Sequence, residues 1–111
     1  MPLLNISTNK KIKNEQLFLA KSSDFISSLL KKPENFVMIK LMHSLPMYFA
    51  GTSELCIFIE IKSIGALFPL KMSKPICEFF SNELEIPTKR IYVFFQDVES
   101  CMWAWNNKTF G

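Results

Sequence analysis

Apolar and polar residues alternate along this chain with two different periods, and each change of period marks a new element. Leu3 to Ser7 follows the two-residue rhythm of a strand, closed by Thr8-Asn9-Lys10. From Asn14 to Lys31 the spacing becomes helical. Leu19, Ile26 and Leu30, with Phe18, Phe25 and Leu29 beside them, recur on one face, and serines and lysines fill the other. Pro33 stops that helix. Phe36 to Met42 reads as a second strand, followed by a turn-rich loop around Ser44-Leu45-Pro46 and Gly51-Thr52.

The pattern then starts again. Leu55 to Ser63 is a strand ended by Gly65. Met72 to Leu84 is a helix with Ile76, Cys77, Phe80 and Leu84 inward, and Pro87 stops it. Ile91 to Phe95 is a fourth strand. Pro33 precedes Val37 and Ile39 by the same intervals at which Pro87 precedes Ile91 and Val93. Two β-α-β units therefore follow one another without a linker, and residues 1–111 form one domain. The expected architecture is α/β: a two-layer sandwich with a four-stranded mixed sheet and both helices on one face.

The strand faces differ in kind. Val37, Ile39 and Leu41 alternate with Phe36, Met38, Lys40 and Met42, and Ile57, Ile59 and Ile61 alternate with Phe58, Glu60 and Lys62. The aliphatic sets belong under the helices, where each buried side chain contributes roughly 1.5–3 kcal/mol. The other face is too apolar for water alone and too charged for a dry core, as suits a subunit interface around a wet centre. Composition agrees: 49% hydrophobic residues, eleven phenylalanines and only three glycines in 111 residues exceed what a small monomer hides.

Charge and cysteine content narrow the functional classes. A net charge of +3, with lysines scattered in short clusters and no aromatic-interleaved basic motif, reads as solvated surface rather than a nucleic-acid site. Cys56, Cys77 and Cys101 lie far apart, no CxxC occurs, and the single His43 completes no metal site, so neither metal nor cofactor is expected. Free thiols and the lack of a basic-then-apolar leader point to the cytoplasm, with export by a route needing no leader left open. No segment approaches a membrane span. Asn5-Ile6-Ser7 and Asn107-Lys108-Thr109 match the glycosylation pattern, which carries no meaning without secretory entry.

Both ends of the chain carry candidate chemistry. An initiator methionine ahead of proline is commonly removed, leaving Pro2 with a free secondary amine. Apolar walls and a neighbouring cation would lower its pKa, so that it is neutral near pH 7 and able to shuttle a proton. The competing reading is a proline that merely starts an edge strand. In the tail, Trp103, Trp105 and Phe110 either cap the chain's own core or reach a neighbouring subunit or pocket.

The segments MPLLNISTN, Lys32-Pro33, Ser63-Ile64-Gly65, RIYVFF and WNNKTF, in this order, resemble the macrophage migration inhibitory factor family of the tautomerase superfamily over essentially the whole chain. That resemblance implies a homotrimer with sheets inside and helices outside. Its pockets would lie at subunit boundaries and convert phenylpyruvate-like α-keto acids between keto and enol forms. It makes Pro2 the catalytic base. Lys32 and the Ile64 N–H would bind the substrate carboxylate, and Tyr92 would reach in from a neighbour. Phe36, Phe94, Trp103, Trp105 and Phe110 would wall the pocket. Taken alone, Lys32 equally suits a lysine capping helix-end carbonyls, and Ile64 and Tyr92 suit ordinary packing.

The sequence departs from the family pattern at three pocket positions. Phe94 stands where an asparagine is common, Phe36 where a tyrosine is, and Trp103 where a smaller aliphatic residue is. The site would be narrower and poorer in donors, which leaves open a second reading: a cytokine-like interaction protein with a vestigial pocket. A CxxC-dependent thiol oxidoreductase activity is not expected, because Ile59 stands at its second cysteine position.

Overall fold

The computed structural model describes residues 1–111. Strand β1 (Leu3–Thr8) leads to helix α1 (Glu15–Leu30) and strand β2 (Met38–Met42). Strand β3 (Ile57–Ser63), helix α2 (Pro69–Leu84) and strand β4 (Ile91–Asp97) repeat the sequence of elements. The repeat is regular to the residue. Pro69 and Leu84, which bound α2, lie 54 positions after Glu15 and Leu30, which bound α1. The same shift carries the left-handed helix cap Lys31 (φ 55°) onto Glu85 (φ 56°), Pro33 onto Pro87, and the 3-10 turn Glu34–Phe36 onto Thr88–Arg90.

The sheet order is β2-β1-β3-β4. Within each repeat the two strands are parallel, and β1 and β3 join the repeats as antiparallel neighbours. This is the expected mixed sheet. The core lies between sheet and helices: Leu4, Ile6, Ile57, Ile59 and Ile61 from the strands meet Phe18, Ile26 and Leu30 of α1 and Met72, Ile76, Phe80 and Leu84 of α2. Leu19 and Cys77, expected inward, are only half-buried. Ser22 and Met72 take the buried positions that the helical stripe needs.

Local chemistry sets the boundaries. The Asn14 side chain accepts from the Leu17 N–H at 3.1 Å and caps α1. Helix α2 begins a turn earlier than its apolar pattern suggests, because Pro69 sits in the first turn, where a missing N–H costs nothing. Pro75 lies inside α2 and leaves one carbonyl of the preceding turn without its donor. Strand β2 starts two residues late because Glu34–Phe36 is coiled into the 3-10 turn. No helix is long and apolar enough to cross a membrane.

The face of the sheet turned away from the helices is open. Register arranges it in three rows: Met38, Leu3, Lys62 and Gln96; then Lys40, Asn5, Glu60 and Phe94; then Met42, Ser7, Phe58 and Tyr92. Met38, Met42, Tyr92 and Phe94 are exposed there, and the buried Asn5 Oδ1 has no hydrogen-bond partner.

Candidate active site

The first of these rows is the floor of a cavity of about 600 Å³ at the amino-terminal end of β1. Met1 and Pro2 enter it beside the floor, and Asn35, Phe36 and Val37 form one side. Pro2 is fully buried, and its carbonyl accepts from the Met38 N–H at 3.0 Å, so the terminus is tied to β2. Burial, and secondly the positive charge of Lys32, hold the Met1 amine below its ordinary value of 8.0.

The roof comes from the tail. Strands β5 (Ala104–Trp105) and β6 (Lys108–Thr109) form a minimal hairpin across Asn106 (φ 51°) and Asn107 (φ 71°). A two-residue hairpin turn of the favoured primed type requires positive φ at both central positions, and asparagine tolerates it better than other side-chain-bearing residues. The WNNKTF segment is thus a turn motif. It delivers Trp105 edge-on to Phe36 at 5.4 Å, and Phe110 edge-on to Phe36 at 6.3 Å. Trp103 also lines the cavity, and its carbonyl accepts from the Phe110 N–H at 3.0 Å. Within one chain, then, Trp103, Trp105 and Phe110 line this cavity.

The remaining candidate residues do not line this cavity within one chain. Lys32 is half-buried just past α1, where the Ser27 hydroxyl donates to its carbonyl at 2.6 Å. Its ammonium forms no ion pair, and the cap at Lys31 is a backbone one, with the N–H bonded to the Ser27 carbonyl. Ile64 follows β3 at a turn whose Gly65 (φ 69°) donates its N–H to Asp97 Oδ1 at 2.9 Å. Tyr92 stands two rows from the floor, about 13 Å along the strand, is 62% exposed, and packs edge-on against Phe49 at 4.7 Å. Phe94 lies one row away and is likewise exposed.

Three polar residues line the cavity that motif reading does not single out: Asn35, Lys62 and Gln96. The signal for Lys62 and Gln96 is positional. Antiparallel pairing sets Leu3 against Lys62, and parallel pairing sets Lys62 against Gln96, so whatever lies beside Pro2 lies beside them.

A duplicated β-α-β sandwich with a buried amino-terminal proline under an aromatic roof defines the class: an α/β protein of the tautomerase superfamily. The chain belongs to the macrophage migration inhibitory factor family, whose model matches residues 1–111. A macrophage migration inhibitory factor homolog of Brugia malayi is 33% identical over 115 aligned positions, covering all of both chains, and the factor of Rattus norvegicus is 26% identical over the same span. Among solved structures, the homologue from Prochlorococcus marinus is 37% identical with a TM-score of 0.91, covering 98% of this chain and 99% of that one. The factor from Trichinella spiralis is 25% identical with a TM-score of 0.90, covering 97% and 99%.

Proposed function

We propose that this chain is a keto–enol tautomerase for phenylpyruvate-like α-keto acids, working as a homotrimer with Pro2 as its general base. The observation that carries this reading is the placement of Pro2: fully buried, at a cavity walled by Phe36, Trp105 and Phe110, at a terminus whose amine burial and Lys32 already hold low. Removal of Met1 frees the Pro2 nitrogen. As a neutral amine it takes the enol hydroxyl proton and returns a proton to the α-carbon while the carbonyl forms, so the net change is a proton shift with no co-reactant. Lys32 and the Ile64 N–H hold the carboxylate. Tyr92 and Phe94 come from the neighbouring subunit, which the exposure of both supports.

The open face supports the trimer, since both of its edge strands carry large exposed apolar side chains, Met38 and Met42 on β2 and Tyr92 and Phe94 on β4. On this reading the protein acts in the cytoplasm. A second reading, an interaction protein of the cytokine-like kind with a vestigial pocket, is favoured by the scarcity of donors: Phe36 and Phe94 offer none, and eleven of fifteen lining residues are hydrophobic. The deciding experiment has two parts, the intact mass of the purified chain and the rate of enol-phenylpyruvate conversion by wild type and Pro2→Gly. Loss of Met1 with Pro2-dependent turnover upholds the tautomerase. Retained Met1, or no conversion above the buffer rate, gives way to the second reading.

A further inference from the structure

Lys62 carries the one charged side chain that lines the cavity, and no carboxylate lines it. Its nearest acid is Glu60 on its own strand, at 3.9 Å, the outer limit of an ion pair. The register holds Lys62 beside Leu3, the residue after Pro2, and beside Gln96, which also lines the cavity and offers both a donor and an acceptor. Lys32 acts on the amine from outside this lining, beyond the end of α1. Two cations thus serve one cavity from different elements, while a simple aromatic α-keto acid brings one carboxylate.

With Lys32 paired to that single carboxylate, the Lys62 ammonium keeps only Glu60, at the 3.9 Å limit of an ion pair, and has donors to spare toward a mostly apolar cavity in which an anion would find no competing carboxylate. The aromatic walls Phe36, Trp105 and Phe110 mark the place for a ring. Resting on the tautomerase reading above, we propose that Lys62 makes the cavity selective for an aromatic α-keto acid whose ring carries a second anionic group. Lys62 and Gln96 receive that group while the keto-acid end lies toward Pro2 and Lys32. Lys62 is a specificity residue in this scheme, and the proton transfer remains with Pro2.

The test compares enol-keto conversion of phenylpyruvate with that of its para-carboxylated analogue in wild type, Lys62→Met and Lys21→Met. Lys21 serves as the control because it pairs with Glu83 at 3.5 Å on the helical face. Wild type should favour the dianion in kcat/KM by about tenfold or more at low salt, and the preference should collapse in Lys62→Met and persist in Lys21→Met. Equal kcat/KM for the two acids in wild type, or an undiminished preference in Lys62→Met, overturns the proposal. Quenching of Trp103 and Trp105 fluorescence by para-carboxyphenylacetate, which cannot tautomerise, separates the two levels of inference. Lys62-dependent binding without turnover of either acid upholds the anion subsite and removes the tautomerase. Turnover of phenylpyruvate without Lys62-dependent binding does the reverse.

Discussion

The Met38 N–H donates to the Pro2 carbonyl at 3.0 Å, and that single bond ties the start of the chain to the start of β2. It is the first rung of the parallel β1–β2 pairing and precedes Leu3↔Met38 in the ladder. Chain ends fray unless held. Here a backbone bond and full burial fix Pro2, so a base at this position does not have to be ordered by substrate.

The charge on Lys32 is the second cause, after burial, of the lowered amine pKa at this terminus. With Met1 removed, Pro2 would carry the amine in these surroundings, and its neutral form is the working one, so kcat/KM should rise with pH through the amine's titration and level above it. Lys32→Ala should move that limb to higher pH and raise KM for α-keto acids, with burial retaining part of the shift. The same sign applies to folding. In a chain that keeps Met1, a folded-state pKa below 8.0 means the unfolded chain binds more protons, so this group's contribution is full above pH 8 and falls as pH drops through the folded value. A pH–rate profile of wild type and Lys32→Ala checks the first statement, and urea unfolding across pH checks the second.

Arg90, the last residue of the 3-10 turn before β4, should be costly to lose. It is buried, and its guanidinium donates to the carbonyls of Phe49, Glu54 and Leu55 at 2.7, 2.7 and 3.1 Å while lying 5.0 Å over the Phe49 ring. Phe49 in turn packs against Tyr92. Arg90→Leu leaves the Leu55 carbonyl without its donor, while the Phe49 and Glu54 carbonyls keep the Thr52 N–H and the Asn9 side-chain amide, so it should cost about 2–3 kcal/mol. Arg90→Lys should recover only part, because an ammonium cannot span all three acceptors. Chemical denaturation measures both.

Ser22 is fully buried in α1 with an unpartnered hydroxyl, against the rule that buried polar groups find partners. Ser22→Ala removes a desolvated hydroxyl and improves helix propensity, so it should stabilise the protein by about 1 kcal/mol. A higher denaturant midpoint with unchanged slope is the expected result.

Asn107 at φ 71° should tolerate glycine and resist alanine. Asn107→Ala should cost about 1–2 kcal/mol locally, loosening the hairpin that holds Trp105 and Phe110 over Phe36. Its signature is a raised KM and altered tryptophan emission with little change in global unfolding, and Asn107→Gly should behave like wild type.

Most of the fold was legible because its signals were local. Pro33 and Pro87 stop the helices, and the equal spacing after each proline announces the repeat. Where the starts of α2 and β2 depart from expectation, a proline and a coiled turn are responsible. Pro69 looks like a breaker and is a helix starter, and Glu34–Phe36 takes a 3-10 turn that delays β2. Strand β4 runs on to Gln96 and Asp97, polar residues of an edge strand that alternation alone does not recruit. The aromatic wall was readable from the tail motif. Lys62 and Gln96 were not, because their place beside Pro2 depends on how β3 registers against β1, and register is a property of paired strands.

Met1 and Phe110 border the same cavity, so the two ends of the chain are neighbours in space. The 54-residue shift also places Cys56 where Pro2 stands in the first repeat, and both are buried. Linking those ends and opening the backbone ahead of Cys56 would give a circular permutant that starts on a cysteine, in the mirror location of the original start. Its aminothiol would condense with aldehydes to thiazolidines, so one scaffold could present two reagents at pseudo-equivalent doorways, chosen by where the chain is cut.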